Sequence, residues 1–245
     1  MIGIVGGMGP LAGLDVFKKI TEETPVTSDQ EHAPVLLFSV PAQIPDRTEF
    51  LLGREKTNPA IAISEIILTL EKAGARVVGI PCNTAHSPRI FDVITAELHS
   101  KGSRVLLLNL IEVATEYVNL HFSGKKIGVL STTGTRKTSL YKNALDAFGL
   151  VVIEPDDDWQ ERVHAAAYDP QYGIKAGSFP ISEKATGELH LAVAHLKAKG
   201  SEVILLGCTE IPLALTETEL EGLPLIDANR LLAKQLLRSL SFVNQ

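Results

Sequence analysis

The chain is poor in cysteine, with Cys82 and Cys208 alone among 245 residues. Two thiols do not make a disulfide scaffold, and such sparing use fits a reducing compartment, so a cytoplasmic protein is expected. No C-x-x-C is present, and no recognised ligand spacing includes either thiol, so no metal is expected. No run of about 18 or more apolar residues occurs, which excludes a membrane-spanning helix by length. The opening Met1-Ile2-Gly3-Ile4-Val5 has no basic segment ahead of it and reads as a strand, not as a secretory signal. Basic residues are outnumbered, 23 Lys and Arg against 29 Asp and Glu, for a net charge of -6. The dense basic face that nucleic-acid binding needs is therefore missing. A few local cations can still bind a small anion. The phosphate-loop pattern G-x-x-x-x-G-K-[ST] is also absent, which argues against a P-loop nucleotidase.

What remains is ordinary globular material: 45% hydrophobic and 21% charged residues. The length allows one large domain or two small ones. Short apolar runs at 2–5, 35–40, 77–80 and 105–108 read as strands. Segments of helical period lie between them, at 11–23, 59–73 and 87–100, and a further helix runs through 118. The pattern then restarts. Strands are expected at 127–130, 151–153, 203–206 and 223–226, with helices at 139–148, within 157–199 and at 228–240. Strands alternating with helices predict a parallel sheet covered on both faces. Buried parallel strands should be near-continuous apolar runs, and these are.

The restart is an internal repeat. Ile2-Gly3-Ile4-Val5 matches Ile127-Gly128-Val129-Leu130, about 125 residues on. The segment from Gly74 to Cys82 matches that from Gly200 to Cys208 at nearly the same offset. The spacing implies two halves of like topology, with one thiol at the carboxyl end of an equivalent strand in each. Ligands of open parallel sheets bind at that end. The expected architecture is α/β, with two pseudo-symmetric Rossmann-like domains, parallel sheets and an active site in the cleft between them. One domain takes residues 1–113 plus about 227–245, the other 114–226. Ser123-Gly124-Lys125-Lys126 marks the expected crossover.

Gly6-Gly7-Met8-Gly9-Pro10 follows the first strand and opens a helix. Gly7, Gly9 and Ala12 fit a loose G-x-G-x-x-A, which lets backbone N–H groups approach an anion. A dinucleotide site also wants an acid ending the second strand. That strand ends Phe38-Ser39-Val40-Pro41, so no nicotinamide or flavin is expected. Pro81-Cys82-Asn83-Thr84-Ala85-His86 and Gly207-Cys208-Thr209-Glu210 carry more information. A lone free cysteine is most often a small buried hydrophobe. Two at equivalent repeat positions, each leading toward a helix N-terminus, weigh toward chemistry, because such a terminus favours a thiolate. His86 reads equally as a capping residue, a core residue or a participant.

These segments together resemble the cofactor-independent Asp/Glu racemase family. The resemblance rests on the glycine turn, Gln43-Ile44-Pro45-Asp46-Arg47-Thr48, both cysteine motifs, Thr132-Thr133-Gly134-Thr135 and Lys175-Ala176-Gly177, all in family order. The glutamate branch typically opens with Asp-Ser-Gly-x-Gly-Gly and ends its second motif Cys-Thr-His. This chain has Gly-Gly-Met-Gly and Glu210 at those places, so it is closer to the aspartate branch.

The resemblance implies a pyridoxal-independent racemase that interconverts L- and D-aspartate, an isomerase with no cofactor. Cys82 and Cys208 would be its acid–base pair, with Cys208 serving the L-face and Cys82 the D-face. Asn83, Thr84, Thr133 and Thr209 would surround the substrate α-carboxylate, with Met8 in the glycine turn beside them. Arg47 and Lys175 would bind carboxylates, the first as a fork and the second as a point charge. Glu210 would orient the substrate ammonium, tune Cys208 or cap its helix. A homodimer without an intersubunit disulfide is implied, since neither thiol is to spare. The alternatives are a glutamate or broad-range acidic racemase, a hydantoin racemase or maleate isomerase on the same fold, or a non-catalytic binder of acidic amino acids.

Overall fold

Alternating apolar runs give strands buried from both sides, and the helical segments cover them. The computed structural model describes residues 1–176 and 180–243. The chain begins β1 (Ile2–Gly6), α1 (Pro10–Glu23), β2 (Val35–Ser39), α2 (Arg47–Leu51), α3 (Ala60–Lys72), β3 (Val77–Gly79), α4 (Pro88–Ser100) and β4 (Leu106–Leu107). Then come α5 (Leu110–Phe122), β5 (Lys126–Ser131), α6 (Thr133–Lys137), α7 (Leu140–Asp146), β6 (Val151–Ile153), α8 (Asp157–Tyr168), α9 (Glu183–Ala198) and β7 (Val203–Gly207). It closes with α10 (Ile211–Ala214), β8 (Glu219–Leu220), β9 (Leu223–Asp227) and α11 (Ala228–Val243). Among the described residues, no helix is long and apolar enough to cross a membrane.

Two compact units result: Met1–Val113 with Asn229–Gln245, and Ala114–Ala228. The chain passes from one to the other within α5, upstream of the turn at 123–126 where the crossover was expected. A polar, glycine-bearing turn punctuates the chain but need not divide it.

The first unit orders its strands β2-β1-β3-β4, and the second β6-β5-β7-β9-β8. In both units the second strand in chain order lies outside the first, and the third lies on the first strand's other side. The pairings are parallel except β8 with β9, which is antiparallel. This hairpin departs from the all-parallel expectation. Its turn residues, Glu221 and Gly222, both have positive φ, 55° and 74°. A two-residue loop of that kind matches the twist of antiparallel strands.

The repeat extends to single hydrogen bonds. Arg76 N–H donates to the Met1 carbonyl at 2.9 Å, and Glu202 N–H to the Lys126 carbonyl at 2.9 Å. Gly74 and Gly200 end the preceding helices at φ 103° and 92°, a left-handed position that a side chain would strain.

Each unit has its own core. Ile63, Ile66, Ile67 and Leu70 of α3 pack with Val5, Ile80, Ile90 and Ile94 in the first. Val163, Leu189, Val193 and Leu196 pack with Leu130 and Leu206 in the second. Each such side chain contributes about 1.5–3 kcal/mol on burial. The closing helix belongs to the first unit. Its Leu232 and Leu236 lie so close to Gly79 that a Cβ there would meet Leu236 at 3.0 Å. Asn229 also donates to buried Asp15 at 2.7 Å, and Asp15 pairs with Lys19 on α1.

Candidate active site

In the first unit the carboxyl ends of β1 and β3 are neighbours, and both lead straight into candidate residues. Beyond β1, Gly7 sits at φ 99°, and a Cβ on it would come within 3.0 Å of the Pro41 backbone. Met8 follows, buried. Arg47 opens α2, whose start is capped by Asp46, accepting the Glu49 N–H at 2.8 Å. The Arg47 side chain is 8% exposed overall and is held over the glycine turn. Its Nη2 donates to the Met8 carbonyl at 3.1 Å and its Nη1 to the Pro45 carbonyl at 3.3 Å.

Beyond β3, Cys82 heads the 3-10 turn Asn83–His86, against which α2 packs. Cys82, Asn83 and Thr84 are buried there. Met8, Arg47, Cys82, Asn83 and Thr84 are thus gathered in one part of one unit.

His86 is a core residue that braces this turn, not a helix cap. Its Nδ1–H donates to the Cys82 carbonyl at 2.9 Å, and its ring stacks on Phe91. Burial pushes its pKa down to about 4, against the smaller opposing pull of backbone acceptors. The imidazole is therefore neutral at physiological pH.

A consequence for stability follows from that sign. Below about pH 6.5 the unfolded chain binds a proton that folded His86 refuses until about pH 4. The stabilisation is complete above pH 6.5 and is lost as pH falls through that window. Urea unfolding at pH 5 should show about 2 kcal/mol less stability from this group than at pH 7. His86→Gln should flatten the dependence, and an unchanged slope would assign it elsewhere.

The second unit repeats the arrangement with different side chains. Cys208 follows β7 and is 5% exposed. Its Sγ donates to Glu210 Oε2 at 3.1 Å, and the Thr209 hydroxyl donates to the same oxygen at 3.2 Å. Lys175 pairs with Glu210 Oε1. It reaches there because the 3-10 turn Ile174–Ala176 packs against α10. Gly177, the last residue of the Lys175 motif, lies outside the described residues. The Glu210 carboxylate serves these three donors and makes no side-chain cap on α10.

The network continues into residues that sequence reasoning missed. Lys175 Nζ lies 5.3 Å from the centre of the Tyr168 ring. Tyr168 stacks on His164, and His164 Nδ1 accepts the Thr133 N–H at 3.5 Å. The i,i+4 spacing of His164 and Tyr168 on α8, shortly before Lys175, was the available signal. Tyr141 of α7 packs on the Cys208 strand. A Cβ on Gly207 would meet its ring at 2.9 Å.

The electrostatics correct one expectation. A helix N-terminus was to favour a thiolate at Cys208. Instead, burial pushes the Cys208 thiol well up, and the Glu210 charge pushes it further, with Lys175 only partly offsetting them. The helix that follows has four residues, too short for an appreciable dipole. For Lys175, burial is the largest single influence and disfavours the ammonium, but Glu210, Tyr168 and Cys208 together outweigh it, and the pKa rises above the ordinary lysine value. Burial and then Cys208 likewise raise the Tyr141 phenol.

Residues 5–236 match the Asp/Glu/Hydantoin racemase family, and the chain belongs to it. Two-domain α/β racemases share its fold. The Picrophilus torridus aspartate racemase superposes with a TM-score of 0.80 at 27% identity, covering 98% of this chain and 94% of that one. A broad specificity amino-acid racemase, RacX, of Bacillus subtilis is 26% identical over 96% of this chain and 95% of its own. A glutamate racemase of Pseudomonas aeruginosa is 28% identical over 70% of this chain and 60% of its own.

Proposed function

We propose that this racemase interconverts L- and D-aspartate by a two-thiol mechanism that needs no pyridoxal phosphate, metal or nucleotide. The supporting observation is the placement of one buried cysteine just beyond an equivalent strand of each unit, β3 and β7. Racemisation removes the α-proton and returns one to the opposite face. One group must be deprotonated while the other is protonated, and thiols, with an ordinary pKa of about 8.5, suit both roles. Cys208 takes the proton from L-aspartate and Cys82 from the D-amino acid.

The carbanion needs a stabilised carboxylate. Polar side chains and backbone N–H groups of Asn83, Thr84, Thr133 and Thr209 supply it, the Thr209 hydroxyl turning from Glu210 to do so. Arg47 grips a carboxylate with its fork, anchored by the Met8 and Pro45 carbonyls. Lys175 supplies a second, compact charge. A dicarboxylate suits two such cations, which disfavours a hydantoin. A binder of acidic amino acids would have no need of two thiols in these positions. The same reading has the protein acting in the cytoplasm as a homodimer without an intersubunit disulfide.

A broader substrate range is the second reading. It is favoured by near full-length similarity to a broad specificity racemase. One methylene is worth only about 1–3 kcal/mol in a pocket, so aspartate and glutamate are separated by a modest margin.

The test is D/L-resolved chromatography after incubation with each proteinogenic amino acid and no added cofactor. Aspartate should be inverted fastest. Faster inversion of glutamate or of neutral amino acids would move the assignment to the broader reading. Activity should survive dialysis against a chelator. Loss on dialysis with recovery on adding metal would refute the cofactor-free mechanism.

A further inference from the structure

We propose that the cavity at the amino ends of β3 and β4 is a second ligand site, one that takes a small amino acid bearing two carboxylates and one ammonium. It lies at the end of the sheet opposite Cys82. The ligand class matches the proposed substrate, but the inference stands without the racemase reading.

The cavity measures about 220 Å3 and is lined by Glu71, Ala75, Arg76 and Arg104. Sites for drug-sized ligands run to about 300–1,000 Å3, so this one suits a smaller molecule. The fold brings its lining together from three elements. Glu71 stands in the last turn of α3, and Arg76 and Arg104 lead into β3 and β4. Those strands pair in parallel from Val77 and Leu106, and the Leu106 N–H donates to the Arg76 carbonyl at 2.9 Å. Both arginines therefore stand at one edge of the sheet. Buried Ala75 supplies the apolar part of the lining.

The charges decide what fits. Arg54, Arg136, Arg162 and Arg230 are all paired with carboxylates. The guanidinium groups of Arg76 and Arg104, by contrast, have no ion pair or hydrogen bond among the described residues. Glu71 Oε1 accepts the Arg104 N–H at 2.7 Å, which holds the carboxylate at the cavity. Its other oxygen accepts nothing among the described residues. The Met1 amino group lies near enough to Arg76 for that charge, after burial, to lower its pKa, so cations gather at this edge. Two guanidinium forks match two carboxylates. The Glu71 carboxylate matches an ammonium. A neutral amino acid satisfies only one fork. A bare dicarboxylate or a phosphate satisfies the forks but sets its charge against Glu71. An acidic amino acid meets all three groups. Exposed ion pairs are individually weak, so the ligand should be held with a millimolar dissociation constant.

The test follows the backbone amide signals of Ala75, Arg76, Arg104 and Val105 by NMR on the full, isotopically labelled chain. Reading these signals keeps the cavity separate from the candidate active site. The chain is titrated with L-aspartate, L-asparagine, succinate and inorganic phosphate at fixed ionic strength. Aspartate should give saturable shifts, at a concentration about fivefold or more below any of the other three, the loss of one ion pair. Glu71→Gln keeps an acceptor for the Arg104 N–H and should remove the advantage of aspartate over succinate. Arg76→Gln combined with Arg104→Gln should abolish the shifts while any aspartate racemisation stays at the wild-type rate. Shifts that do not saturate, equal affinity for all four probes, tighter binding of succinate or phosphate, or shifts that survive in the double arginine variant overturn the inference. Saturable shifts in a wild-type protein that inverts no amino acid would leave the cavity assignment standing and refute the racemase reading. Racemisation by wild type with these amides unmoved would do the reverse.

Discussion

Serine in place of Cys82 or of Cys208 is expected to lower aspartate racemisation by about three orders of magnitude, within the range assigned to a positioned acid or base. Both thiols are buried in well-packed surroundings, and the hydroxyl is nearly isosteric, so the fold should survive. The hydroxyl is a far weaker acid, and it supplies neither a base near neutral pH nor a ready proton. The two variants should differ in what they retain. Cys82→Ser keeps Cys208 and should still exchange the α-proton of L-aspartate with deuterated solvent, without inverting it. It should lose exchange from D-aspartate. Cys208→Ser should show the mirror behaviour. The swapped pattern would reverse the assignment of faces and leave the mechanism intact. Full racemisation by either variant would return that cysteine to the role of a small buried hydrophobe.

Arg47→Lys is expected to lower kcat/KM for aspartate about a hundredfold with the protein still folded. The guanidinium spends two nitrogens on the Met8 and Pro45 carbonyls, which fixes its plane. A lysine ammonium has three donors around one point. It cannot hold both carbonyls and also present a fork to a carboxylate. Part of the loss should appear in KM, because a ground-state contact is removed. Thermal unfolding should move little, since Asp46 still caps α2. A kcat/KM within a factor of two of wild type would remove Arg47 from the substrate.

The sequence was most legible where the fold depends on local pattern. The near-continuous apolar runs of β1, β3, β5 and β7 could be read because parallel strands buried on both faces admit little else. The strand repeat could be read because its landmarks, glycine before the strand and cysteine after it, are single distinctive residues. Short elements were not legible. The five-residue α2 shows too few turns for a period, and its one signal is the Asp46 cap. The β8 strand has two residues and is defined by its turn. In the candidate site, motifs gave the residues but not their partners. Lys175 and Glu210 lie 35 positions apart, and only the packing of one short turn on another brings their charges together. Burial first, and then the Glu210 charge, disfavour the thiolate that a helix terminus led one to expect at Cys208, with Lys175 partly offsetting them. A helix terminus could be read locally, whereas burial is set by tertiary packing.

Racemisation of enantiopure L-aspartate in deuterium oxide, followed from the first few per cent of reaction, tests the two-thiol claim most directly. One thiol removes the protium and the other, equilibrated with solvent, delivers deuterium to the opposite face. The D-aspartate formed should therefore carry deuterium at Cα from the outset, while the remaining L-aspartate stays unlabelled. D-aspartate that keeps its protium, or L-aspartate that gains deuterium as fast as product forms, would mean that a single group serves both faces and would contradict the account.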